Sequence, residues 1–171
     1  LKLNKNSYVV EIASNDGYLL QYVKDFGIPC LGIEPTHQTA ESAREKGIHT
    51  IESFFGIKLA KNLKNSSHLN SNGVDLIVAN NVVAHVPDIN DFMGGISYLL
   101  KPKAYASIEF PHVLNLIKGN QFDTIYHEHY SYLSLKVIKR IANKVGLKVV
   151  EVEELNTHGG SLRVWLKKES K

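Results

Sequence analysis

The sequence predicts an α/β domain: a doubly wound, mostly parallel sheet with one antiparallel strand near its C-terminal end. Three observations carry the prediction. Short, β-rich apolar runs alternate with stretches of helical spacing along most of the chain, the pattern of βαβ units. The last two apolar runs are joined by residues 153–161 with no helix between them. A parallel return needs a crossover of a dozen or more residues, so these two strands pair antiparallel. Finally, 171 residues with 43% hydrophobic and 22% charged side chains suit one ordinary domain with a sizeable core.

Each element follows from its residues. Residues 8–12 read as a buried strand and 14–17 as a turn. Leu19, Leu20, Val23 and Phe26 lie at helical spacing in 18–26, stopped by Gly27-Ile28-Pro29. Residues 30–34 form a second strand ended by Pro35; Thr36 caps a helix to Lys46, closed by Gly47. A third strand, 48–51, precedes helical material at 57–63 and a polar loop at 65–73. Residues 74–79 are the most strand-like segment. A helix starts at Asp88 or Asn90 and runs to Leu100, 101–103 turns, and 104–110 is the fifth strand. Residues 111–133 have weak periodicity and read as an insertion. Ser134 caps a helix to Val145, with Gly146 as its stop, and 147–152 and 162–166 are the last two strands.

Composition excludes several classes. Twenty Lys+Arg against seventeen Asp+Glu, with no basic run longer than Lys167-Lys168, argues against a nucleic-acid partner. The single cysteine, Cys30, rules out an internal disulfide framework and a cysteine-cluster zinc site. No apolar run approaches the roughly 18 residues of a membrane span and no signal peptide opens the chain, so no membrane partner and a cytoplasmic location are expected. The only methionine is Met93, so the chain reads as trimmed or as a piece of a longer protein.

Ligands of doubly wound sheets sit at the carboxyl ends of the strands, beside the first. There the sequence puts Glu11, Ser14, Asn15, Asp16 and Gly17. A dinucleotide fingerprint needs three glycines around a pyrophosphate, and only Gly17 is present. Carboxylates and small polar groups repel a pyrophosphate. They suit a ligand with an ammonium and a sulfonium, the charge pattern of S-adenosylmethionine (SAM). Glu34, at the end of the second strand, is placed to accept from ribose hydroxyls. Past the third strand, Ser53 and Phe54-Phe55 offer either an adenine clamp or core. Past the fourth, Asn80 or Asn81 is a candidate cofactor contact, and His85 stands at the mouth of the site.

The densest chemistry is Tyr126-His127-Glu128-His129-Tyr130-Ser131-Tyr132. Histidines 127 and 129 with Glu128 have metal-ligand character, but nothing fixes a third ligand. The alternative is proton abstraction: a histidine base, oriented by Glu128, with a tyrosine or second histidine stabilising an oxyanion. Gly159-Gly160 permits a tight turn or close ligand approach. Arg163 is either an ion-paired residue or a contact for an anionic substrate.

Together, residues 11–20, Gly32-Ile33-Glu34-Pro35, 81–88, Glu109-Phe110-Pro111-His112, 122–132 and 157–163 resemble one family. It is the SAM-dependent sugar C-methyltransferases, which act at C3 of nucleotide-linked 4-keto deoxysugars. The resemblance implies a Rossmann-like class I SAM-dependent methyltransferase fold across residues 1–171. It also implies SAM as cofactor, S-adenosylhomocysteine as product, and a dTDP-linked 4-keto-deoxyhexose as partner. The family's base falls on His129, with Tyr126, Glu128 and His85 lining the same site. The family also carries an N-terminal zinc module and a C-terminal domain; this chain has neither, and zinc is expected only in the former. Methylation of another small-molecule acceptor, or SAM binding without catalysis, fits the same residues.

Overall fold

The computed structural model describes residues 1–66, 69 and 73–170. Part of the polar loop expected at 65–73 therefore lies outside the described residues. The parallel half runs β1 (Val9–Ile12), α1 (Leu20–Asp25), β2 (Cys30–Ile33), α2 (His37–Glu45), β3 (Thr50–Ile51), α3 (Ile57–Asn65), β4 (Val74–Asn80), α4 (Ile89–Leu99) and β5 (Leu100–Pro111). Then come α5 (Val113–Lys118), α6 (Leu135–Lys144), β6 (Leu147–Leu155) and β7 (Ser161–Lys168). The seven strands form one sheet in the order β3-β2-β1-β4-β5-β7-β6. Strands β1 to β5 pair parallel, and β7 is antiparallel to both β5 and β6. This is the class I methyltransferase arrangement expected from the sequence.

Period-two alternation divides each central strand between two cores. Val10, Ile12, Ile77 and Ala79 join Phe92, Met93 and Ile96 of α4, Leu63 of α3 and Ile138 of α6 on one face. Val9, Leu76 and Val78 join Leu20 of α1 and Ala43 of α2 on the other. Helices on both faces explain why these strands read as unbroken apolar runs: both sides of each strand are buried.

Element ends follow local chemistry, with three departures from expectation. The Asp88 carboxylate caps α4, accepting from the amides of Asn90 and Asp91. Ser134 caps α6 through the amide of Val137. Thr36 occupies the cap position of α2, but its side chain makes no capping bond; its amide donates instead to Glu34. Residues 101–103 are not a turn, because β5 begins at Leu100 and absorbs Lys103 (φ 65°) where its register against β4 shifts. The insertion at 111–133 contains α5, six residues with no buried side chain.

Topology brings the candidate residues to one edge. Because β7 runs against β5, Ser161 lies opposite both Pro111 and Leu155. The connection between β6 and β7 therefore reaches the same edge as the carboxyl ends of β1 to β5.

Candidate active site

The turn after β1 is held in a costly backbone shape. Ala13 (φ 55°) and Asn15 (φ 54°) are left-handed, as is Gly17 (φ 76°). Two bonds from its main chain stitch it to the next strand and the residue after it: Ser14 N–H to the carbonyl of Ile33 (3.2 Å) and Asn15 N–H to the side-chain Oε2 of Glu34 (3.1 Å). The other Glu34 oxygen accepts from Thr36 N–H at 2.9 Å, so this buried carboxylate ties the turn to the start of α2. Each of its oxygens keeps a second lone pair for a ligand hydroxyl.

Glu11 is only 1% exposed, and its Oε2 finds no hydrogen-bond partner among the described residues. Burial pushes its carboxyl up to about 8. Ser14 Oγ and the side-chain carbonyls of Asn80 and Asn81 are buried and unpartnered in the same way. A Cβ at Gly32 would stand 2.5 Å from Ser14 Oγ, so only glycine leaves room for that hydroxyl. Asp16 points elsewhere: it pairs with Lys46 at the surface, and that bond holds its carboxyl below the usual range.

Two cavities of about 540 Å³ each open at this edge. One is lined by Ile12, Ala13, Ile33, Pro35, Ser53 and Phe54 among others; the second by Asn81, Asp123, Tyr126, His129 and His158 among others. His85 lines both. The aromatic pair after β3 is divided. Phe54 is 84% exposed at the first cavity, whereas Phe55 packs edge-on against Phe92 with ring centroids 5.5 Å apart.

In the second cavity the rings cluster. His129 lies 4.3 Å from Tyr126 and 4.7 Å from His85, centroid to centroid. The amides of Tyr130 and Ser131 donate to the carbonyl of Ala84, which fastens the segment to the turn carrying His85. His129 Nδ1 lies 2.8 Å from the carbonyl of Thr124, and His85 Nδ1 lies 2.9 Å from that of Glu128. A carbonyl only accepts, so both imidazoles hold a proton on Nδ1, and in the neutral ring the lone pair is then on Nε2. The Tyr126 hydroxyl is 3.3 Å from His129 Nε2. The group orienting His129 is thus Thr124 rather than Glu128, whose exposed side chain leaves its main chain to hold His85.

A model of the methyltransferase-domain family matches residues 1–152. The chain belongs to that family. The methyltransferase domain is 34% identical over 163 residues to the C-methyltransferase NovU of Streptomyces niveus. That match takes in 95% of this chain but 38% of NovU, so the chain spans well under half of its relative. Among solved structures it resembles a SAM-dependent methyltransferase of Methanosarcina mazei (TM-score 0.74, 13% identity, 99% of this chain and 95% of that one). It also resembles the magnesium protoporphyrin IX methyltransferase of Synechocystis, solved with SAM bound (TM-score 0.69, 12% identity, 95% and 70%). At those identities the likeness is one of fold. Family and fold make this a SAM-dependent methyltransferase domain, with SAM as its cofactor.

The residues of the methyltransferase domain fit that cofactor. Unpartnered buried polar atoms are rare, because each costs its full desolvation. Glu11 and Ser14 carry two of them beside the one turn, as a ligand with its own polar groups requires. The first cavity is mainly apolar and bounded by Pro35 and Phe54, which suits a flat base. No helix is long and apolar enough to cross a membrane, among the described residues.

The reading of the sequence placed Asp123 and His158 in its motif segments without a role and passed over Gln121; all three line the second cavity. Arg163 resolves as an ion-paired residue, 2.9 Å from Glu109 and 3.5 Å from Glu153. The paired glycines serve close packing. A Cβ on Gly159 would meet Gln121 at 2.4 Å, and one on Gly160 would meet Asn115 at 2.4 Å.

Proposed function

We propose that this domain transfers a methyl group from SAM to carbon, at C3 of a nucleotide-linked 4-keto deoxysugar such as a dTDP-4-keto-deoxyhexose. The observation that carries the reading is the tautomer of His129. With Nδ1–H given to the Thr124 carbonyl, Nε2 offers a lone pair in a cavity that shares His85 with the cofactor cavity. The C-methyltransferase relative and the sugar-methyltransferase motifs support the same assignment.

SAM, when bound, supplies an electrophilic methyl on its sulfonium. Glu11, Ser14, Asn15 and Glu34 would hold it, with Ser53, Phe54 and Pro35 at its base and Asn80 or Asn81 as a further contact. Asp16 and Gly17 shape the turn. In the second cavity the acceptor displaces the Tyr126 hydroxyl from His129 Nε2. A C–H beside a ketone is acidic enough for a positioned imidazole to take its proton. The electron pair of that bond passes toward the ketone oxygen, which gains charge and needs a hydrogen-bond donor. With SAM held by Glu11, Ser14, Asn15 and Glu34, its sulfonium would supply the methyl group to that carbon and its sulfur would keep the electron pair of the carbon–sulfur bond. His85, held by Glu128, sets the distance between the two cavities.

Two measurements test this. Calorimetric titration with S-adenosylhomocysteine should show binding, and NAD none; the reverse overturns the cofactor assignment. In deuterated water, dTDP-4-keto-6-deoxyglucose should exchange its C3 proton in the presence of the domain. His129→Asn should abolish exchange while leaving S-adenosylhomocysteine affinity unchanged, and equal loss of both would sink the base assignment.

A further inference from the structure

The developing negative oxygen needs a hydrogen-bond donor whose N–H or O–H is not already committed. His85 and His129 have both committed Nδ1–H to main-chain carbonyls, so in neutral form neither has a second N–H. The Tyr126 hydroxyl lies against His129 Nε2 until the acceptor displaces it, and only then is its O–H free. A third imidazole remains. His158 Nε2 lies 3.1 Å from Asn81 Nδ2, an amide nitrogen that can only donate. Nε2 therefore accepts, and the ring proton sits on Nδ1, for which no partner exists among the described residues. All three rings are the same tautomer, but only in His158 is the N–H unclaimed. The ring is exposed, so that N–H is open to a ligand of the cavity it lines.

His158 is also held as a functional group is held. Its backbone is left-handed (φ 50°), as is that of Asn81 (φ 52°). Glycine would adopt this shape without strain, and glycines do occupy the next two positions. The surrounding bonds fix the strained residue from both sides. Thr157 Oγ1 donates to Glu109 Oε1 at 3.1 Å, and Gln121 Nε2 donates to the carbonyl of Gly159 at 2.8 Å. Asn81 is fastened to the same strand, its amide donating to the Glu109 carbonyl at 2.9 Å.

We propose that His158 is the donor to the acceptor's ketone oxygen, with Asn81 as its positioning residue. This rests on the C-methylation reading above. As His129 removes the proton and the C–H pair moves into the enolate, His158 Nδ1–H shortens its bond to that oxygen without giving up its proton. When the carbon–carbon bond forms, the carbonyl is restored and the bond relaxes.

The test is C3 deuterium exchange of dTDP-4-keto-6-deoxyglucose by the 171-residue chain loaded with S-adenosylhomocysteine. His158→Gly removes the ring and suits the left-handed backbone; it should slow exchange about 10²-fold, as loss of one oxyanion donor does, with substrate KM little changed. His158→Asn places an amide N–H near Nδ1 and tolerates the same backbone; it should recover at least half of that loss on a logarithmic scale. Undiminished exchange in His158→Gly, or an Asn variant as slow as the Gly variant, overturns the proposal alone. Absence of exchange in the parent chain overturns the C-methylation reading and this proposal with it. Should His158→Gly misfold, ¹⁵N spectra of the parent's ring nitrogens decide: a proton on Nε2 of His158 refutes the assignment.

Discussion

Glu11 is the residue whose state depends most on what surrounds it. In the folded protein burial raises its carboxyl to about 8, against 4.5 for the ordinary side chain. Between those values the folded state keeps a proton that the unfolded chain releases. Stability therefore falls as pH rises through the window, by at most about 1.4 kcal/mol per pH unit, and levels off above 8. Glu11→Gln should erase that slope, so that urea unfolding at pH 5 and pH 8 gives more similar stabilities than in the parent; an unchanged slope refutes the assignment. Cofactor binding should work the other way. An ammonium beside Glu11 favours the carboxylate, so S-adenosylhomocysteine should expel a fraction of a proton at neutral pH. Titrations in two buffers of different ionisation enthalpy would show this, and identical heats would exclude it. Glu11 was legible in the sequence because it lies next to the end of a buried strand at the ligand edge. That its oxygen is an orphan was not, since this depends on Ser14, Gly32 and the next strand converging in space.

At the scale of elements, the glycine pair after β6 is a lock between two segments. Gly160 (φ 111°) lies where no side chain is tolerated, and a Cβ there would strike Asn115 of α5. Gly160→Ala should cost about 1–3 kcal/mol and loosen residues 113–125, seen as faster amide hydrogen exchange there. S-adenosylhomocysteine affinity should stay unchanged, because the cofactor cavity borders neither segment; a parallel loss would refute that separation. The mostly parallel sheet and its antiparallel end were legible, because short apolar runs alternate with helical spacing and the last connection is short; the strand order was not. Helix α5 was not: its Val113–Lys118 bury nothing, so no periodic stripe marks it. The strand extension through Pro102 and Lys103 was hidden because Lys-Pro-Lys has turn chemistry and the bulge there depends on pairing with β4. His158 was within reach. Once β6 and β7 are antiparallel, their connection must return to the ligand edge, and its one imidazole deserved the weight given to Gly-Gly.

The whole molecule joins a parallel half to an antiparallel hairpin, and an ion pair crosses the join. Glu109 on β5 is 5% exposed and meets Arg163 on β7 at 2.9 Å; Arg163 also reaches Glu153 on β6. Removing one partner of a buried pair costs more than removing both. Because Arg163 is partly exposed and Thr157 still donates to Glu109, Arg163→Met should destabilise by about 1–3 kcal/mol, and Glu109→Gln combined with Arg163→Met by less than the sum of the two single losses. Additive losses in urea unfolding would show that the two residues act independently.

The glycine lock sets a rule for transplantation. Much of the second cavity's lining sits on residues 111–133 and 156–160, while Asn81 and His85 follow β4 and the turn after β1 lies further along the same edge. Exchanging either segment alone with that of another methyltransferase pairs a foreign Gln121 or Asn115 position with glycines shaped for the native one. Moved together, the two carry their own fit with them. On the C-methylation reading proposed above, acceptor choice moves with this matched pair of segments, and a chimaera is the way to test that.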